Sequence, residues 1–149
     1  MKVRRARRRG VAAVECALML PLVMTIVMGV IESGRMTLAQ GVIANASREG
    51  ARLAVLGGTT IGTDTSTGSN EVKYLVRTYL DGGSVASSAA TITVTDLDYN
   101  GMTDLPQSAV GDRIQISVSV PFSSIAWCTP WFFGTSTLKQ ISIMRKEAL

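Results

Sequence analysis

The sequence predicts an α+β fold: a long N-terminal helix that crosses a membrane and continues beyond it, a second short helix, and a small antiparallel sheet of about three strands packed on the helices. Three observations predict it. An apolar run of membrane-spanning length follows a basic N-terminus. Helical periodicity then persists without proline through the next 25 residues, Glu32 to Leu56. Finally, three segments of the second half alternate apolar and polar residues, as strands with one buried face do.

The first element is MKVRRARRRG followed by VAAVECALMLPLVMTIVMGVI. Lys2, Arg4, Arg5, Arg7, Arg8 and Arg9 supply six of the fifteen basic residues, and no acid precedes Glu15. The remaining nine basic and eleven acidic residues leave a net charge of −2, so the overall +4 belongs to a local tail. Such a tail beside an apolar run sets membrane topology and does not cover a nucleic-acid-binding face. Val11 to Ile31 is interrupted only by Glu15, Pro21 and Thr25, and at 1.5 Å per residue it reaches about 31 Å, enough for the hydrocarbon core. A cleaved signal peptide is the competing reading, but its apolar region would run about 7–15 residues, end in an A-x-A-like pattern and hold no acid. Residues 1–10 are therefore read as a cytoplasmic leader and 11–31 as a transmembrane helix, with everything after them exported. Pro21 is expected to kink the helix by removing one backbone hydrogen bond.

Residues 32–56 extend the helix outside the membrane. Met36, Ala39, Val42, Ile43, Ala46, Leu53 and Ala54 recur at helical spacing, and Glu32–Arg35 and Glu49–Arg52 sit three apart, as on an exposed face. Gly57-Gly58 is expected to cap it. The remainder, 57–149, reads as a periplasmic α+β domain. GGTTIGTDTSTGSN is a loop, and Asn70 is placed to cap a helix EVKYLVRTYLD whose stripe is Val72, Leu75, Val76, Tyr79 and Leu80. The strand candidates are Ala90 to Asp98, Asp112 to Phe122 and Thr137 to Lys146. Ile92, Val94, Ile114, Ile116, Val118, Val120, Ile141 and Ile143 are expected to face the helices.

Several residues are candidates for function. A carboxylate in hydrocarbon costs at least about 2.5 kcal/mol, so Glu15 is either a snorkelling side chain or one with a partner. Asp96, Asp98, Asn100, Gly101 and Asp104 fit the first nine positions of a calcium loop, D-x-D-x-N-G-x-x-D, in which alternate oxygen ligands wrap a hard cation. Gln107 stands where such a loop has its bidentate glutamate, and an Asn-Gly turn between strands explains the same residues. In SREGAR, Gly50 points to close approach of another backbone, either within the chain or from a neighbouring subunit. Phe122, Trp127, Trp131, Phe132 and Phe133 are five of the eight aromatics and either close the core or form a contact patch. Cys16 and Cys128 fall on opposite sides of a bilayer and cannot pair within one chain, leaving Cys128 a buried thiol or an intermolecular crosslink. With no histidine, no Gly-x-Ser-x-Gly and no phosphate-cradling glycine loop, the sequence gives an enzyme reading no catalytic residues.

RRRG-VAAVE, a basic stretch, a glycine and a glutamate five residues past it, resembles the processing site of type IV prepilins and pseudopilins. That resemblance implies cleavage after Gly10 by a prepilin peptidase, Val11 as the new N-terminus, and Glu15 pairing with the free amine of a neighbouring subunit. GVAAVECALMLPLVMTIVMGVIESGRM with ANASREGARLAV is similar to the TadE-like family of Tad (Flp) pilus assembly proteins, most closely over Arg8 to Leu56. Cys16 departs from that family, which usually has an aromatic residue there. The resemblance implies a pilin-like fold and a structural pseudopilin or minor-pilin-like component of the Tad/Flp pilus and secretion machinery. It would be single-pass in the bacterial inner membrane, its N-terminus cytoplasmic and its C-terminal domain periplasmic. Its partners would be the peptidase, other pilins or pseudopilins, inner-membrane assembly proteins and membrane lipid, with no nucleic acid. The alternative is a membrane-tethered periplasmic domain that binds calcium or another ligand and never enters a filament.

Overall fold

In the computed structural model, residues 3–56, 68–98, 109–126 and 136–147 are described, with side chains from residue 10 in the first stretch and from 70 in the second. The order is helix α1 (Val3–Val55), helix α2 (Gly68–Gly82), and strands β1 (Thr91–Asp96), β2 (Arg113–Pro121) and β3 (Thr137–Arg145), with short 3-10 turns at Ser87–Ala89 and Phe122–Ser124. The chain divides into two compact units, Met1–Gly34 and Arg35–Leu149.

From Val11 to Ile31 the helix carries apolar residues on every side, Glu15 apart, and its large side chains are exposed. A helix of that composition has no face to turn towards water, which is the character of a membrane span. The stretch is long and apolar enough to cross a bilayer. The helix continues through Pro21, and the Thr25 hydroxyl donates to the Pro21 carbonyl at 2.8 Å.

The second unit holds the core. From Ala39 onwards α1 buries Ile43, Ala46, Ser47, Gly50, Ala51 and Ala54, a stripe at spacings of three and four made mostly of small residues. α2 contributes Val72, Val76 and Leu80, each fully buried. The sheet has the order β1-β2-β3, antiparallel throughout, with Val94 opposite Ile116 and Ile116 opposite Ser142. Its inner face buries Val94 and the whole apolar row of β2, namely Ile114, Ile116, Val118 and Val120. The three strands and their antiparallel pairing match the alternation in the sequence to within two residues at each end.

Three local expectations are corrected. Ile141 and Ile143 are 48% and 53% exposed on the outer face, because Leu138 is paired with Val120 and Met144 with Ile114, and directly paired residues share a face. Asn70 lies inside α2, which begins at Gly68, and is not its cap. Tyr79, at the edge of the apolar stripe of α2, is 44% exposed. Glu32 is buried and Arg35 half-buried, so that pair does not decorate an exposed face; Glu32 stands seven residues before Ala39, in phase with the buried stripe.

α2 ends in a Schellman motif whose left-handed residue is Ser84, at φ 58°. Val85 N–H donates to the Leu80 carbonyl at 2.9 Å and Ser84 N–H to that of Asp81 at 3.1 Å. The neighbouring Gly83 serves space: a Cβ there would collide with the Val42 side chain.

Candidate functional site

The N-terminal constellation is carried by one element. Gly10, Val11 and Glu15 all lie on α1, Val11 is 57% exposed and Glu15 is exposed as well. A Cβ built at Gly10 would meet nothing within 4 Å. The fold therefore has no use for glycine there, and an interior helix glycine costs about 1 kcal/mol relative to alanine. Cys16 follows as an exposed free thiol.

Further along α1 the SREGAR segment meets the rest of its own unit. A Cβ on Gly50 would lie 2.5 Å from Val76 Cγ2 and 3.3 Å from Ile116 Cδ1, so packing within the chain accounts for this glycine. One turn earlier, the buried Ser47 hydroxyl meets the Ser142 hydroxyl at 2.9 Å and donates to the Ala44 carbonyl. A helix that comes this close to the sheet leaves room for serine, not isoleucine, on the inner face of β3, which explains the strand's phase. Arg48 and Arg52 are exposed.

The region read as a calcium loop is described only in part. Asn100, Gly101 and Asp104 lie outside the described residues, as do Trp127, Cys128, Trp131, Phe132, Phe133 and the Gly57-Gly58 cap. Asp96 is 2% exposed at the inner end of β1, and its Oδ1 accepts the Asp98 N–H at 3.0 Å. Asp98 is gripped by Arg113: the guanidinium donates from Nη2 to Oδ1 at 2.7 Å and from Nε to Oδ2 at 3.1 Å, and the Arg113 N–H donates to Oδ2 at 2.7 Å. The hydrogen bonds from the Arg113 side chain, then from its backbone, hold the Asp98 carboxyl below the usual carboxylate range, and Asp98 in turn raises Arg113. A cation taking Asp98 as a ligand would have to displace this guanidinium. Among the described residues no group of three or more His, Cys, Asp or Glu side chains is placed to hold a metal.

Two polar groups escaped the sequence reading. Glu32, 8% exposed, has an Oε1 with no hydrogen-bond partner. Arg35 donates from Nη2 to the Ile125 carbonyl at 2.7 Å, while its Nε is buried without an acceptor. The available signal was their phase: both precede the buried stripe at helical spacing, where charge is unexpected. Arg35 also lines a cavity of about 210 Å³ together with Leu38, Ser84 and Ile125. A neighbouring cleft of about 370 Å³ is lined by Val42, Asn45, Thr78 and Tyr79.

The described residues thus hold one helix long and apolar enough to cross a membrane and an α+β unit with a three-stranded sheet. Residues 10–52 match the family model described as TadE-like protein. Comparison with curated proteins and with solved structures finds no match.

Proposed function

We propose that the protein is a structural pseudopilin or minor-pilin-like component of the Tad/Flp pilus and secretion machinery, cut after Gly10 by a prepilin peptidase and assembling through its N-terminal helix. The observation that carries this reading is the TadE-like match over residues 10–52, which opens at the one glycine that follows the basic tail. The open space around Gly10 supports it, since a glycine that packing does not require fits a requirement imposed from outside the chain, such as a peptidase site. The exposed apolar surface of residues 11–31 supports assembly in lipid or against other helices. In that setting the Glu15 carboxylate needs a compensating charge, and the amine freed at Val11 of a neighbouring subunit is the one the processing chemistry would create. The basic tail supports an orientation with the N-terminus in the cytoplasm and the second unit in the periplasm.

Intact mass of the protein extracted from membranes tests this, with loss of Met1 to Gly10 expected. Gly10→Ile is expected to stay uncut, because a branched side chain should not enter a site built for glycine. Glu15→Ala is expected to be cut yet to lose crosslinks to pilus subunits, since removing one partner of a buried ion pair costs about 3–5 kcal/mol. Wild-type crosslinking and piliation by Glu15→Ala would defeat the assembly role given to Glu15.

A further inference from the structure

We infer that the open edge of β3 takes an extended segment of a partner protein as a fourth strand, a segment in which every second residue reads acid, apolar, apolar, acid. The observations all lie within the second unit. β3 stands last in the order β1-β2-β3, so among the described elements only β2 pairs with it. In an antiparallel ladder a hydrogen-bonded pair exchanges both of its bonds, and the residues between such pairs turn their N–H and C=O the other way. The Phe122 N–H donates to the Ser136 carbonyl at 2.8 Å, and the Lys146 N–H to the Asp112 carbonyl at 2.9 Å. The register between those two pairs is one to one. Leu138, Gln140, Ser142 and Met144 therefore bond β2, while Lys139, Ile141 and Ile143 aim their N–H and C=O groups at the open edge.

The side chains of the same three residues stand on the outer face, where their neighbours on β2 are Ser119, Ser117 and Gln115 and those on β1 are Thr91, Thr93 and Thr95. The large apolar surface of that face is thus confined to Ile141 and Ile143, both exposed. A partner spread over the face would bury hydroxyls, whereas an added strand sets its side chains about 4.5–5.5 Å from the two isoleucines. β1, at the other edge of the sheet, is blunted: it has six residues and buries Asp96, and a short strand with an inward charge discourages addition. β3 runs nine residues without proline. Lys139 and Arg145 flank the isoleucine pair, both exposed, and neither makes an ion pair with a described carboxylate. A second copy would bring the same cations to the edge. The antiparallel register that pairs both isoleucines sets Lys139 of each copy against Arg145 of the other, and like charges directly opposite destabilise. Carboxylates in a partner strand would meet both cations instead.

The test uses the full chain in dodecyl maltoside micelles and a fluorescent synthetic peptide in which threonine alternates with glutamate, valine, valine and glutamate. A second peptide has lysine in place of both glutamates. Binding is read by anisotropy and its place by amide hydrogen exchange. The acidic peptide is expected to bind and to slow exchange of the Ile141 and Ile143 N–H groups, those of Gln140 and Ser142 being held by β2 already. The basic peptide is expected to bind more weakly. Lys139→Glu changes an exposed residue, so it should fold like wild type, weaken the acidic peptide about fivefold and strengthen the basic one. Ile141→Pro deletes an N–H that points away from β2, which an edge strand tolerates, and is expected to lose most of the binding. Circular dichroism melts identify any variant that has lost its fold, and the charge swap at Lys139 decides the matter without Ile141→Pro. Equal affinity for the two peptides, indifference to Lys139→Glu, or unchanged exchange at Ile141 and Ile143 with the peptide present would each overturn the proposal. Slowed exchange there without peptide would overturn it too: growing with protein concentration, it would put a second copy at the edge, and appearing on transfer to liposomes, a membrane surface.

Discussion

The two halves of α1 are built by the same backbone rules and obey opposite burial rules. From Val11 to Ile31 the large apolar residues are all exposed, Leu18 at 74% and Val30 at 68%. From Ala39 to Ala54 small residues are buried, with Ala46 and Ala51 at 0%. The first half gains nothing from its own chain and is suited to a solvent other than water. The second half is held by α2 and the sheet, and small side chains let the backbones approach. Hydrophobicity along a helix thus reports what the surroundings are, and residue size reports how near a neighbour comes.

The largest expected effect that would break this contrast is in the buried half. Ile43→Ala should lower the stability of the folded unit by about 2–5 kcal/mol in urea titration, whereas Leu22→Ala in the exposed half should leave that transition where it is. Equal effects would mean that the two halves are not separately supported. Gly50→Ala should cost about 1–3 kcal/mol, because a methyl there drives into Val76 and Ile116, while Gly29→Ala, whose Cβ meets nothing within 4 Å, should be neutral or stabilising. Ser84→Gly should stabilise the folded unit by about 1 kcal/mol by relieving the left-handed backbone at φ 58°. It would show as a rise in thermal midpoint.

A smaller, pH-dependent effect sits at the sheet end. The folded carboxyl of Asp98 lies below its ordinary range because Arg113 hydrogen-bonds it, so its stabilisation is present above the unfolded value of about 3.9 and fades as pH falls through the lower folded value. The fall in stability between pH 5 and pH 3 should therefore flatten in Arg113→Gln. The smallest effect is expected at Ile141→Thr, within about 0.5 kcal/mol of wild type because that side chain is on the outer face; a cost of 2 kcal/mol would mean that it packs against something.

Much was legible because it is local. The long helix follows from an unbroken apolar and helical pattern from Val11 to Leu56, the three strands from strict alternation, and the candidate processing site from a glycine and a glutamate at fixed spacing behind a basic tail. What misled was sequence in which two answers were equally apolar. In TLKQISIMRK one face offers Leu138 and Met144 and the other Ile141 and Ile143, so period two alone cannot choose between them. The pairing of Leu138 with Val120 chose, and with it placed Ser142 inside, where it meets Ser47.

Asp98 teaches the same point from charge. The D-x-D spacing is a property of the chain, and it made both aspartates candidate ligands. That Arg113, fifteen residues away, lies against Asp98 is a property of strand pairing, which brings Asp96 beside Ile114 and so delivers Arg113 to the carboxylate. By itself the sequence determined the elements, the apolar span and the spacing of its Gly10, Val11 and Glu15, because each depends on neighbours within a few residues along the chain. Only the tertiary structure decided which face of β3 is buried, what Gly50 makes room for, and where Arg35 is left with an unanswered donor. Those depend on groups that the chain brings together from as many as 95 residues apart, at distances where half an ångström decides whether a side chain fits.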